Sequence, residues 1–240
     1  LCILYCISFD RKDAFMAKIK VYNNDTNKME TYYKGELEAM PYNSNRTLLV
    51  KEFRGSSKSS TLWTTKYAMR SWNSQRYIYG NPIPVLYAFK RPWEGGHSNF
   101  SQHYAGVAFD AGQTLSQSQR NILYNSAVRS GVWSYVEPQN LTPTWVHFDK
   151  RYGRSACASG GYPLTSLNSV GVYVLVAQDC LNTLGHNTGG LDGIFGSRTL
   201  NSVKNYQQGR GLQVDGIIGC NTWRALLEDV VAKGRTSTTV

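Results

Sequence analysis

The chain has 240 residues, enough for one good core or for a core with a small companion domain, and two domains are expected. Its composition, 41% hydrophobic and 12% aromatic, is that of a globular protein with no apolar run near the roughly 20 residues that span a bilayer, so membrane insertion is not expected. Lys and Arg number 26 against 16 Asp and Glu, a formal charge of +10 that favours polyanions in general; the basic residues are scattered rather than striped, so nucleic acid is not the expected partner.

The opening "LCILYCISFDRKDAF" is apolar but lacks the basic start and small-residue cleavage site of a secretion signal. Residues 1–15 therefore read as an extension, with "MAKIKVYNN" from Met16 resembling a natural start. From Lys18 to Tyr33 apolar and polar residues alternate on both sides of an Asn/Asp-rich break, which predicts a hairpin. "TLLVKEF", "PVLYAFKRP" and "TWVHFDKR" are short β-prone segments, and a helical period runs from Ser116 to Ser130. Residues 16–153 are thus expected to form an α+β domain.

From Arg151 to Ser169 the pattern dissolves into Gly, Ser, Ala and Pro, and residues 154–169 read as a linker between separable halves. Beyond it "VYVLVAQDCLNTL" is helical in period. Then a repeat appears, Asp-Gly-x-x-Gly-x-x-Thr at Asp192, Gly193, Gly196 and Thr199 and again at Asp215, Gly216, Gly219 and Thr222. Each copy reads as a tight turn that delivers the chain into a helix, so residues 170–233 are expected to be a small all-α three-helix domain, with a tail at 234–240. The five cysteines are odd in number, widely spaced and contain no C-x-x-C pair, so neither a thiolate zinc site nor a closed disulfide framework follows; Cys180 and Cys220, in the same small domain, could bridge. The stretch from Ala177 to Leu227 resembles the peptidoglycan-binding-domain-1 family almost throughout. That resemblance implies a module that docks its protein onto the bacterial cell wall, with peptidoglycan as partner.

In the first domain, "SNFSQHYAGVAFDAG" places His103 and Asp110 among small, aromatic and apolar neighbours. Polar atoms in such a setting need partners, and a divalent metal satisfies both residues at once. His147, in the β-prone "TWVHFD", is the natural third ligand, which leaves one position open for catalysis; satisfied core side chains are the other reading of the same spacing. "SQHYAGVAFD" followed by "WVHFD" resembles the paired motifs of the zinc D-Ala-D-Ala carboxypeptidase family, which includes phage L-Ala-D-Glu endopeptidases and shares its fold with hedgehog signalling domains. The resemblance spans roughly Leu48 to Gly153. It implies Zn2+ held by His103, Asp110 and His147, close packing at Gly106 and Ala108, and Ser101 orienting the first ligand and taking part in substrate binding.

The resemblance also places Arg91 as a substrate-binding, oxyanion-stabilising cation, with Lys90 as the fallback. Many family members carry an acid three residues before the last ligand, where this chain has Thr144. A hydroxyl cannot replace a carboxylate as general base at neutral pH, so the base is expected to be Glu137, or else Asp149, whose side chain would point the same way along a strand as His147 and could equally serve to orient it. The expected function is that of a monomeric zinc peptidase acting at the cell wall on a stem-peptide bond involving a D-amino acid. The alternative is a non-catalytic peptidoglycan-binding protein with a degenerate metal centre.

Overall fold

The computed structural model describes residues 16–237, so the extension at residues 1–15, with Cys2 and Cys6, lies outside the described residues. The expected hairpin is present: β1 (Met16–Asn23) pairs one-for-one with β2 (Lys28–Gly35), from Met16 opposite Gly35 to Asn23 opposite Lys28. Its inward residues Ala17, Ile19 and Val21 are fully buried, as the period of two requires. On its other side β1 pairs in parallel with β3 (Thr61–Thr65), giving a three-stranded sheet of order β2-β1-β3.

A parallel pair needs a crossover, and the segment expected to be a β-prone run supplies part of it as a short helix, α1 (Val50–Arg54). Here the apolar residues that look like a strand sit three apart, so Val50 and Phe53 both turn inward from one helical face. Helix α2 (Lys66–Tyr79) comes next, started by the Thr65 hydroxyl accepting the Ala68 N–H at 3.0 Å and ended by Gly80 in the left-handed region.

A second, antiparallel sheet has the order β4-β5-β7-β6, built from β4 (Val85–Tyr87), β5 (Ala108–Ala111), β6 (Tyr135–Val136) and β7 (Val146–Asp149). Helix α3 (Gln117–Ser130), with a Ser116/Gln119 capping box, matches its predicted span within a residue. One face of β5 sends Phe109 into an aromatic cluster with Trp72, Trp133 and Phe148, at ring-centroid separations of 5.0 to 6.1 Å. The alternate residue, Asp110, emerges on the opposite face, which is where the candidate site lies.

The last third is helical: α4 (Val172–Thr183), α5 (Ser197–Gly209) and α6 (Cys220–Ser237). The repeat has a single physical basis used twice. Gln178 donates to Asp192 Oδ1, the Ile194 carbonyl and Thr199 Oγ1 while accepting the Gly193 N–H, and Gln207 does the same with Asp215, Ile217, Thr222 and Gly216. Each glutamine is nearly fully buried, so these bonds satisfy a side chain that would otherwise be costly there. Because α6 continues through Ser237, residues 234–237 belong to this helix rather than to a tail.

Three expectations are corrected at the join between the two parts. Residues 154–169 are not a free linker: Tyr162 is fully buried and donates to the Ser101 carbonyl at 2.5 Å, Trp223 donates to the Pro163 carbonyl at 2.9 Å, and Thr165 bridges to Ile218. The disulfide joins Cys157 to Cys220, not Cys180 to Cys220; Cys180 is a buried free thiol in α4. Nor are the halves independent, since one continuous apolar core contains residues of both. Tyr173 on α4 donates to Gln102 at 3.0 Å, and Gly234 on α6 approaches the Trp93 backbone so closely that a Cβ would fall 2.1 Å from its carbonyl oxygen. Small-residue composition was the wrong guide here, because glycines and serines also permit close packing.

Candidate metal centre

Asp110 and His147 are direct cross-strand partners on β5 and β7, so their side chains leave the same face of the sheet a few ångströms apart. His103 reaches them from the tight turn that precedes β5. That turn depends on Gly106, which has φ +66° and lies so near Trp63 that a Cβ would meet the Trp63 carbonyl oxygen at 1.9 Å. The Thr64 hydroxyl clamps the same turn by donating to the Gly106 carbonyl at 2.7 Å. The close packing expected at Gly106 and at the fully buried Ala108 is present.

The geometry brings one donor atom from each of His103, Asp110 and His147 within 4.8 Å of the others. His147 Nδ1 is 2.7 Å from Asp110 Oδ1. His103 is 2% exposed, yet neither of its ring nitrogens has a hydrogen-bond partner; Nε2 faces Asp110 Oδ2 at 3.3 Å without hydrogen-bond geometry. A buried imidazole with both nitrogens unsatisfied is costly, and a cation between these three side chains would satisfy one of them. Two imidazoles and one carboxylate are donors that suit zinc.

Electrostatics agrees with a site prepared for positive charge. Burial works to raise the Asp110 pKa, but the two imidazoles beside it outweigh this and hold the carboxyl well below the usual range. Burial likewise works to lower His147, and its contacts with Asp110 and Asp149 reverse that, pushing it up to about 9.

Asp149 is fully buried, with Oδ2 3.4 Å from His147 Nε2 and Oδ1 accepting from Arg151 Nε at 2.7 Å. Its other oxygen also pairs with the Arg151 guanidinium. Such a carboxylate fixes the tautomer and direction of the imidazole, leaving Nδ1 aimed at Asp110. Glu137 immediately follows β6 and stands opposite His147, its N–H donating to the His147 carbonyl at 2.9 Å. Its carboxylate makes no hydrogen bond or ion pair among the described residues, and it lines the cavity. Thr144 is exposed and lies away from the cavity lining.

That cavity, about 510 Å³, opens over the three donor residues. Ser101 lines it but orients the turn rather than the ring, its hydroxyl accepting the His103 backbone N–H at 3.4 Å. Arg91, expected at the site, is absent from the lining. Its guanidinium is paired with Asp179 of α4, hydrogen-bonded to Ser59 and stacked 4.9 Å over Trp63. Lys90 lines a neighbouring cavity instead. The cation beside the site is Arg151, and the residue that sequence reasoning passed over is His97. Its ring stacks on His103 at 4.6 Å between centroids, and burial together with the neighbouring His103 pushes its pKa down to about 4, so it is neutral at pH 7. A glycine pair before a histidine was the available signal, because such loops carry functional side chains to a scaffold's surface.

Residues 171–226 match the family model of the putative peptidoglycan binding domain. These residues span α4, α5 and part of α6, so the C-terminal module is similar to domains of that family. An uncharacterized protein in the bpoA1 3' region of Kitasatospora aureofaciens is 38% identical over 72 residues, covering 28% of this chain. The chain spans 61% of the length of that relative. A crystal structure of a peptidoglycan-binding protein from Clostridioides difficile, in complex with glutamine hydroxamate, is 40% identical and covers 28% of this chain and 42% of that one, with a TM-score of 0.27. Among the described residues no helix is long and apolar enough to cross a membrane.

Proposed function

We propose that the chain is a zinc-dependent peptidoglycan peptidase that cuts a stem-peptide bond involving a D-amino acid and is held at the bacterial wall by its C-terminal module. The observation that carries this reading is His103, buried with two unsatisfied nitrogens beside Asp110 and His147 at the floor of a cavity. The match of residues 171–226 supports the wall as the place of action and peptidoglycan as the substrate polymer. The zinc carboxypeptidase motifs support the class of reaction and a hedgehog-like fold for the first domain.

Zinc, when bound, supplies Lewis acidity that polarises a carbonyl and activates water at neutral pH. The chain's own residues do the rest. Asp149 holds the His147 ring in one tautomer and orientation, and Arg151 keeps Asp149 ionised and in place. Glu137, unpaired at the cavity wall, accepts a proton from the attacking water as the C–O bond forms and returns it to the departing amide nitrogen as the C–N bond breaks. His97, kept neutral, is a hydrogen-bonding group at the cavity edge that does not compete for the metal's charge.

A second reading, a wall-binding protein without catalysis, is favoured by two observations: Thr144 offers no base, and Arg91 is engaged elsewhere. One experiment separates them. Purified protein should carry about one zinc per chain. It should release peptide fragments from sacculi detectable by mass spectrometry, and His103→Ala or His147→Ala should lose both metal and release. Full zinc occupancy in either variant would refute the ligand assignment, and metal without release would favour the non-catalytic reading.

A further inference from the structure

A second cavity, about 560 Å³, opens along the seam between the helical module and the rest of the chain. Segments far apart in sequence build it: Lys58 from the loop after α1, Lys90 and Trp93 from around the 3₁₀ turn Pro92–Glu94, and Thr183 and Lys233 from α4 and α6. The seam is held in register by the contact of Gly234 with Trp93. A glycine inside a helix costs about 1 kcal/mol against alanine, and here only a residue without a Cβ permits the approach.

The cavity is strongly unbalanced in charge. Lys233 on its lining donates to the Thr183 carbonyl at 2.6 Å, and beside Lys58 and Lys90 there is one carboxylate, Glu94, whose oxygens are already occupied. Oε2 accepts from Ser57 Oγ at 2.7 Å and from the Arg91 N–H at 2.8 Å, while Oε1 accepts the Lys58 N–H at 2.6 Å. The ammonium groups of Lys58 and Lys90 make no ion pair among the described residues; that of Lys90 rests 5.6 Å over the Tyr87 ring. Lys58 and Lys90, two cations on one cavity lining with no ion-pair partner among the described residues, mark a place for an anion.

The two cavities share a wall. Gly95 and Gly96 line this one, and the next two residues, His97 and Ser98, line the candidate metal centre. Both glycines have positive φ, and the loop is pinned by the Gly95 N–H donating to the Pro92 carbonyl and Tyr104 Oη donating to the His97 carbonyl. A chain molecule lying over this loop would occupy both cavities.

We infer that the seam cavity binds carboxylates of the peptidoglycan stem peptide, holding the part of the substrate that extends past the metal centre. This rests on the proposed peptidase function. Lysines accept phosphate as readily as carboxylate. The shared wall favours the polymer that enters the metal cavity, whose peptide carries carboxylates, and Trp93 offers an apolar face for its carbon skeleton.

Calorimetric titration of the full chain in chelator, where hydrolysis is suppressed, tests the inference. The probe is the disaccharide–peptide fragment released from sacculi by a muramidase, used with its carboxylates free or amidated. The free acid should bind the native chain about 10-fold more tightly than the amidated fragment, as expected for charge-assisted contacts. Combined Lys58→Ala and Lys90→Ala should abolish that difference, and Lys58→Arg with Lys90→Arg should retain it. Equal affinity of the native chain and the alanine variant for the free acid would overturn the inference, as would displacement of the fragment by millimolar inorganic phosphate, which would assign the cavity to a phosphate-bearing polymer. Lysine-dependent binding without cleavage by the metal-loaded chain would refute only the hydrolase reading, and cleavage without lysine-dependent binding would refute only this one.

Discussion

Replacing Glu137 by Gln preserves its size and removes its charge, which isolates the role of one proton acceptor. On the proposed function, turnover should fall by roughly two to four orders of magnitude while zinc content stays constant. Asp149→Asn should act differently, weakening metal affinity by about 10- to 100-fold in a zinc titration, because Asp149 steadies His147 and is committed to Arg151. The opposite pattern would move the base to Asp149. Arg91 is the other residue whose role turns on its neighbours. Burial raises the Asp179 carboxyl above its usual range and Arg91 offsets this, so Arg91→Ala should cost roughly 3–5 kcal/mol in denaturant unfolding by leaving a buried acid unpaired. Replacing both partners with apolar residues should be nearly neutral in stability and should leave turnover intact, a result that an oxyanion-binding Arg91 could not give. The three candidate ligand residues were legible in the sequence because each polar group sat in an apolar run. The fate of Arg91 was not, since its partner lies 88 residues away and no local pattern announces it.

At the level of elements, the hairpin of β1 and β2 is tied to Tyr42, beyond its own strands, through one carboxylate. Glu30 on β2 accepts hydrogen bonds from Asn23 at 2.7 Å, Tyr32 at 2.8 Å and Tyr42 at 2.6 Å. Burial works to raise its pKa, and these three donors outweigh it, bringing it below the ordinary 4.5. A carboxyl with a lowered folded-state pKa contributes stability that is complete above 4.5 and disappears as pH falls through the lower value. Glu30→Gln should therefore destabilise the chain at pH 7, by about 1 kcal/mol after solvent screening of this partly exposed group, and the gap from the native chain should narrow as pH falls below about 4.5. Urea midpoints at pH 7 and in acid read this directly, and a gap that did not change with pH would remove the charge from the explanation. Alternation made this hairpin readable, whereas α1 was misread because five residues are too few to distinguish a period of 3.6 from a strand. Helix α2 shows Ala68, Met69, Trp72, Gln75 and Tyr79 buried at helical spacing, a pattern interrupted in the sequence by polar Ser71 and Gln75 facing inward.

Across the whole molecule, the disulfide between Cys157 and Cys220 closes a loop with a sequence separation of 63, which contains most of the helical module. On the chain-entropy account such a closure is worth about 4 kcal/mol. Cys157→Ser, or reduction, should lower the melting temperature of the full chain in one cooperative transition, because a single core links both parts. Two separate transitions would instead restore the picture of independent halves. The module's three helices were legible from its repeat. Its attachment was not, because a covalent or packed contact between distant segments leaves no trace in local composition. The cross-link also has a mechanical meaning. Main chain and disulfide form two covalent routes from the module into the segment whose residues Ser159 to Gly161 edge the candidate cavity, so the module can neither swivel nor slide away from it. A tethered anchor of the usual kind searches a sphere, whereas this one has a fixed reach. On the proposed function, each cut therefore falls at a set offset from the point of anchorage, and the molecule measures distance along the wall as a ruler does.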